Sequence, residues 1–252
     1  MDVSINGLMY NQKDITLVTV NWNQKPSLEL LLKSYVQHHY AGESLKLMLV
    51  DNGSGDGSKE WLLENQIPFF NFADNIGHEQ AINAIYEEIK TKYVLLVDSD
   101  VQFKDFVWDY IDCLSEGCVS AGELIDKNFI NETKIKDRVS PWFTLFDYHK
   151  VRDAGIKTFR TNQDWTYDVG SEFYENIVKA GFSNYNIERL PGNQDNDLIS
   201  MKYEKYRHWG KVSWDVFEHL DRVTEIVKRR EAVLEELKIY SDIDLKGKFV
   251  YG

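Results

Sequence analysis

Cysteine, basic charge and long apolar runs are what this sequence has least of, and each shortage closes off a class of protein. Two cysteines, Cys113 and Cys118, are too few and too close for a disulfide framework, and no Cys/His set has zinc-site spacing. Both thiols are expected to be reduced. Against 41 Asp and Glu stand 29 Lys and Arg, a formal charge of −12. The basic face that phosphate neutralisation demands is missing from that balance, so nucleic acid is not an expected partner. No apolar stretch approaches the ~20 residues of a membrane span, so no transmembrane segment is expected. The opening MDVSINGLMYNQKD has neither the basic start nor the apolar core of a signal peptide. The expected location is cytoplasmic, and the acidic balance discourages adsorption to an anionic leaflet.

What is present is the composition of an ordinary soluble protein: 252 residues, 43% hydrophobic and 28% charged, enough to bury a sizeable core. ITLVTV (15–20) reads as a strand, and Pro26 opens a helical stripe through Leu28, Leu31, Leu32, Tyr35 and Val36. LKLMLV (45–50) repeats the theme before the turn-rich DNGSGDGS and a short helix around Trp61. A short strand at 69–72, a helix through Ala81, Ile82, Ile85, Tyr86 and Ile89, and a strand at 93–97 follow. This alternation predicts an α/β fold with a mostly parallel central sheet flanked by helices. Beyond residue 120 the pattern loosens into a less regular α+β part. There 119–121 and 142–146 read as strands, and 171–180 reads as a helix with Ser171 as N-cap and Gly181 past its end. A long helix over 213–238 carries Val216, Leu220, Val223, Val227, Leu234 and Leu237 at seven-residue-like spacing, and self-docking is the expected use. One compact domain is therefore expected, with a regular part at 1–120, a less regular part at 121–212, and a helix and tail at 213–252.

In open parallel sheets ligands bind beyond the carboxyl ends of the strands. That rule collects NWNQ, DNGSGDGS and DSD on one rim. Asp98 and Asp100, leaving a buried strand with only Ser99 between them, repel each other unless a cation or solvent separates them. Magnesium or manganese, held by one or two carboxylates and shared with phosphate oxygens, is the economical explanation; a solvated loop is the plain alternative. The glycines of DNGSGDGS let backbone amides approach a ligand, and Asp51 offers an acceptor for a base N–H or a ribose hydroxyl.

Four segments in order, ITLVTVNWN, LMLVDNGSGDGS, NIGHEQAIN and YVLLVDSD, make the first ~105 residues resemble the family 2 glycosyltransferases of the GT-A fold. The resemblance implies a nucleotide-diphosphate sugar donor, a UDP-sugar by default. It places Thr19, Val20 and Asn21 along base and ribose, Asp51 on the nucleoside, and Asn75, Gly77 and His78 near the nucleotide. It also makes Asp98-Ser99-Asp100 the metal and ribose motif, with Asp100 on Mn2+ or Mg2+ and Asp98 on the ribose or a metal-bound water. A histidine near the carboxyl end often completes that site, and YRHWG offers His208, whose neutral imidazole suits manganese. One departure is that Ala84, Ile85 and Tyr86 follow Asn83 where the family often has a glycine.

Inverting transfer needs a carboxylate to take the acceptor's proton. Asp168 in NQDWTYDVGSEF resembles an Asp-x-Gly segment of some family members, with Asp164 and Glu172 as alternatives. A plain helix N-terminal carboxylate is the competing role for Asp168. Trp142, Phe143, Trp165 and Tyr167 offer a platform for a glycan or lipid-linked acceptor, or else core packing. Peripheral membrane contact stays open for reaching such an acceptor, and the oligomeric state is not legible. The competing functions are a sugar nucleotidyltransferase, disfavoured because NWNQKP lacks a glycine- and arginine-rich loop, and a non-catalytic sugar- or nucleotide-binding protein of the same fold.

Overall fold

The computed structural model describes residues 2–5, 8–11, 14–115, 117–126, 136–156, 167–191, 200–210 and 222–252. An antiparallel hairpin of β1 (Asp2–Ile5) and β2 (Leu8–Asn11) comes first. Then β3 (Ile15–Asn21) feeds α1 (Lys25–His39), and β4 (Leu45–Asn52) feeds α2 (Ser58–Glu64). The short β5 (Phe70–Phe72) leads to α3 (His78–Tyr86) and β6 (Tyr93–Val97). Every residue of β3 is buried, as a strand covered on both faces must be. Pro26 lies in the first turn of α1, where its missing N–H costs nothing. There follow β7 (Val101–Phe103), a 3-10 turn at Trp108–Cys113, β8 (Cys118–Ile125), β9 (Arg138–Asp147), α4 (Tyr148–Asp153), α5 (Ser171–Lys179) and β10 (Ser183–Asn186). The chain ends with β11 (Met201–Lys202), β12 (Tyr206–His208), α6 (Val223–Ile239) and β13 (Phe249–Tyr251).

One eight-stranded sheet runs in the order β10-β8-β9-β6-β3-β4-β13, with β5 also pairing β4. Only β9 runs antiparallel to its neighbours. The sheet crosses residues 120 and 212 without a break, since β8 and β9 extend the strands of the first part and β13 returns to pair with Leu45–Leu47 of β4. Leu17, Leu47, Leu49 and Leu95 pack on one side against Leu28, Leu31 and Tyr35 of α1 and against Trp108. The opposite side presents Val18, Met48, Val50 and Leu96 to Ala81, Ile82 and Ile85 of α3 and to Phe173 and Ile177 of α5. Period-two alternation thus fills both layers from the same strands. At the departure after Asn83, Ile85 and Tyr86 are buried, and the Tyr148 hydroxyl donates to the Tyr86 carbonyl at 2.9 Å. A second, three-stranded antiparallel sheet of β11, β12 and β7 continues from the end of β6. No described helix is long and apolar enough to cross a membrane.

Two expectations are corrected. Gly170, not Ser171, caps α5, at φ +93° and ψ −15°, because a side chain there would run into the Val139 carbonyl of β9. Ser171 is the first helical residue, and its Oγ instead donates to the Lys136 carbonyl at 3.2 Å. The described C-terminal helix begins at Val223; Val216 and Leu220 lie outside the described residues. Its docked face is Ile226, Arg229 and Val233, whereas Val227 and Leu234 are 41% and 48% exposed. The rotation follows from what α6 meets: Val233 joins a cluster with Leu30, Trp209 and Tyr240, and the Trp209 and Gly210 carbonyls accept from the Arg229 guanidinium.

Candidate active site

Because β4, β3 and β6 lie side by side and parallel, Asn21, Asn52 and the Asp98–Asp100 turn leave the sheet on one rim. The helix after β3 packs on one face and the helix before β6 on the other, so the loops part and leave a crevice. A cleft of ≈ 180 Å³ opens there, lined by Val20, Trp22, Gln24, Asn52, Asn75, His78, Asp98, Ser99 and Asp100.

The cleft floor is a turn in which the Val101 amide donates to the Asp98 carbonyl at 3.2 Å, reversing the chain from β6 into β7. Pairing of β12 with β7 sets His208 opposite Val101, and the Trp209 amide donates to the Asp100 carbonyl at 3.0 Å. Ligand atoms of Asp98, Asp100 and His208 consequently lie within 4.8 Å of one another. His208 Nε2 is 3.2 Å from Asp100 Oδ1 and 3.8 Å from Asp98 Oδ2. His78, the first residue of α3 after Gly77 at φ +95°, reaches Asp98 Oδ1 at 3.5 Å. Burial pushes the Asp98 carboxyl above the ordinary range, with His78 and His208 opposing and Asp100 adding to the shift. Among the described residues, Asp98 Oδ1 and Asp100 Oδ1 are shielded from water and accept no hydrogen bond, with the His78 imidazole 3.5 Å from the first and the His208 imidazole 3.2 Å from the second. Two carboxylates and an imidazole with unsatisfied inward oxygens fit a hard or borderline divalent cation.

The wall opposite is built by hydrogen bonds between loops. Asn52 Nδ2 donates to Asn75 Oδ1 at 2.8 Å, the Ile76 amide donates to Asn52 Oδ1 at 3.1 Å, and the Gly77 amide donates to Asn75 Oδ1 at 2.9 Å. This clamp requires Gly53 at φ +78°, where a Cβ would lie 2.6 Å from the Asp74 carbonyl carbon. Thr19, Asn21 and Asp51 lie buried beneath the cleft rather than on its wall. Asn21 Nδ2 donates to Asp51 Oδ2 at 3.1 Å and the Ser54 amide to Asp51 Oδ1 at 3.0 Å. Each Asp51 oxygen keeps a second lone pair. Among the described residues, Thr19 Oγ1 and Asn21 Oδ1 have no hydrogen-bond partner.

Among the residues read as an acceptor side, Trp165 and Asp164 lie outside the described residues. The Trp142 ring stacks on His208, centroids 4.9 Å apart and 11° between planes, and does not line the cleft. Tyr167 is occupied by Glu175, to which its hydroxyl donates at 2.6 Å, and by Lys136. Asp168 stands apart from the cleft lining, with Oδ2 paired to Arg138 and Oδ1 accepting from the Val169 amide at 2.7 Å. Trp22, Gln24 and Asn52 line the cleft from the NWNQ and DNGSGDGS segments, which the rim rule collects without giving these three residues a role. Their signal was their place, within three residues of the ends of β3 and β4.

Residues 16–110 match the model of glycosyl transferase family 2. Among solved structures, the chain is similar to the mannosyltransferase PcManGT from Pyrobaculum calidifontis, solved with GDP-Man and Mn2+, at a TM-score of 0.52 and 14% identity over 90% of this chain and 69% of that one. It is similar also to S. aureus TarS, at a TM-score of 0.50 and 15% identity over 69% of this chain but only 35% of that one. Residues 1–349 of TarS give a TM-score of 0.50 and 14% identity over 90% of this chain and 71% of that one. No curated protein matches the sequence. At these identities the structures establish the fold, which is GT-A.

Proposed function

Taking residues 16–110 as a family 2 glycosyl transferase segment, we propose that the protein is a metal-dependent inverting glycosyltransferase of the hexosyl type. It moves a sugar from a nucleoside diphosphate sugar, UDP being the expected carrier, to a hydroxyl of a glycan or glycan-like acceptor. The observation that carries this reading is the meeting of Asp98 and Asp100, which line a cleft at the sheet's carboxyl rim, with the buried His208 beside them. Mn2+ or Mg2+ held there would balance the charge of the departing diphosphate. Val20, Trp22 and Gln24 form the wall for the base, and Asp51 supports the nucleoside end from below.

Asp168 is the proposed base. Each of its oxygens holds one contact, Oδ2 to Arg138 and Oδ1 to the Val169 amide, and keeps a second lone pair for an acceptor hydroxyl. Asp168→Asn should lower kcat by about 100-fold or more while leaving nucleotide affinity unchanged; unchanged turnover moves the role elsewhere. The place of Asp168 apart from the cleft lining favours a second reading, a binding protein that keeps the metal cleft without turnover.

Calorimetric titration of UDP, dTDP, GDP, CDP and ADP, each with and without Mn2+, tests the primary reading. Binding of one diphosphate that disappears with the metal supports it and names the base. Absence of binding to all five with Mn2+ present overturns it. Turnover of the matching sugar nucleotide then separates enzyme from binding protein.

A further inference from the structure

We propose that Trp142 is a positioning residue for the metal set, holding the His208 imidazole by ring stacking and Asp98 through its main chain. The inference rests on the reading of Asp98, Asp100 and His208 as a metal site.

A metal-binding histidine is ordinarily oriented through its second ring nitrogen, which donates to a carboxylate, a carbonyl or water. His208 turns Nε2 toward Asp98 and Asp100, and among the described residues its buried Nδ1 has no hydrogen-bond partner. Orientation has to come from the ring face. There the Trp142 indole lies nearly parallel to it, 4.9 Å away at 11°. The indole is itself fixed from behind: its Nε1 donates to the Tyr203 hydroxyl at 3.1 Å, which donates to Glu123 Oε2 at 2.7 Å, and Arg189 Nε meets Glu123 Oε1 at 2.6 Å. Burial pushes the Tyr203 phenol up, so it keeps the proton that this relay requires. Tyr203 stacks in turn on Tyr206 at 4.2 Å, and Tyr206 on Phe143 at 4.0 Å, so the platform is anchored in the core. The Trp142 carbonyl, meanwhile, accepts from the Asp98 amide at 3.2 Å. One residue thereby grips both chain segments that supply the proposed metal set, which β6 and β12 bring from distant parts of the sequence.

The test is Mn2+ titration of the full chain followed by electron paramagnetic resonance of the free ion, on wild type, Trp142→Leu, Trp142→Phe, His208→Ala and the Trp142→Leu/His208→Ala pair. Trp142→Leu should weaken Mn2+ binding roughly 10- to 100-fold, and Trp142→Phe, which keeps a ring against the imidazole, should cost less. In the His208→Ala background the leucine change should add no more than about twofold, since its partner is already gone. Trp142→Leu binding within about twofold of wild type, or an equal loss in both backgrounds, overturns the inference. Should Trp142→Leu fail to fold by circular dichroism, Tyr203→Phe takes its place in the same cycle, because it frees the indole N–H without emptying the core. His208→Ala without effect on Mn2+ overturns the metal reading and this inference together. A loss with His208→Ala and none with Trp142→Leu overturns the inference alone.

Discussion

Single atoms decide most of what the cleft can do. Asp100 is 3% exposed, and among the described residues its inward oxygen accepts no hydrogen bond and lies 3.2 Å from an imidazole nitrogen, so its carboxylate has little structural work apart from the proposed ligation. Asp100→Ala should therefore abolish metal-dependent transfer, by more than about 100-fold, with the thermal midpoint close to wild type. Activity within tenfold of wild type would show that the ion sits elsewhere. Gly53 is the opposite case, a residue with no chemistry and a strict geometric task. Its positive φ and its approach to Asp74 leave no room for a methyl group. Gly53→Ala should cost about 1–3 kcal/mol in urea unfolding and loosen the Asn52–Asn75 clamp, weakening nucleotide affinity as well. Full stability and unchanged affinity together would mean that the two loops part without consequence.

At the scale of elements, the link from α1 to the segment after β7 runs through a buried histidine. His39 Nδ1 donates to the Tyr35 carbonyl at 3.0 Å and Nε2 accepts from the Val107 amide at 3.1 Å, which fixes the neutral tautomer. Burial pushes its pKa from 6.5 down to about 3. The unfolded chain then binds this proton more readily than the fold does, so stability is complete above about pH 6.5 and is lost as pH falls toward 3. Between pH 7 and pH 4.5 the loss from this group should be on the order of 2–3 kcal/mol, read from urea midpoints. His39→Gln should lower stability at pH 7 and flatten that slope; parallel slopes would assign the acid sensitivity to other groups. The same scale shows what was legible in advance. The β3, β4 and β6 runs were readable because burial on both faces forces continuous apolar sequence, and Asp98 and Asp100 stood out because two charges end such a run. The docked face of α6 was not, because burial of Arg229 depends on two carbonyls that periodicity ignores. Nor was β13, three residues whose strand character comes only from the β4 edge they join. The meeting of His208 with Asp100 came from resemblance, since the β7–β12 ladder that enforces it is short and long-range.

Across the whole molecule, the antiparallel β9 joins β6 to β8, and through β8 to β10, in one hydrogen-bonded sheet. Metal binding should then register as global stability. Saturating Mn2+ at about 100 times its dissociation constant should add about 2.7 kcal/mol, visible as a raised Tm that a chelator reverses and that Asp100→Ala lacks. A Tm indifferent to Mn2+ would argue against a preformed site. The return of β13 to β4 carries a cost of another kind, in time. Residues 249–251 are needed to close the edge of a strand that ends at residue 52. During synthesis at roughly 5–20 residues per second, that edge waits roughly 10–40 s for its partner. An open strand edge is a template for foreign pairing. The growing chain is thus most exposed to misassembly at the N-terminal half of β4, and a ribosome-associated chaperone has most to protect there.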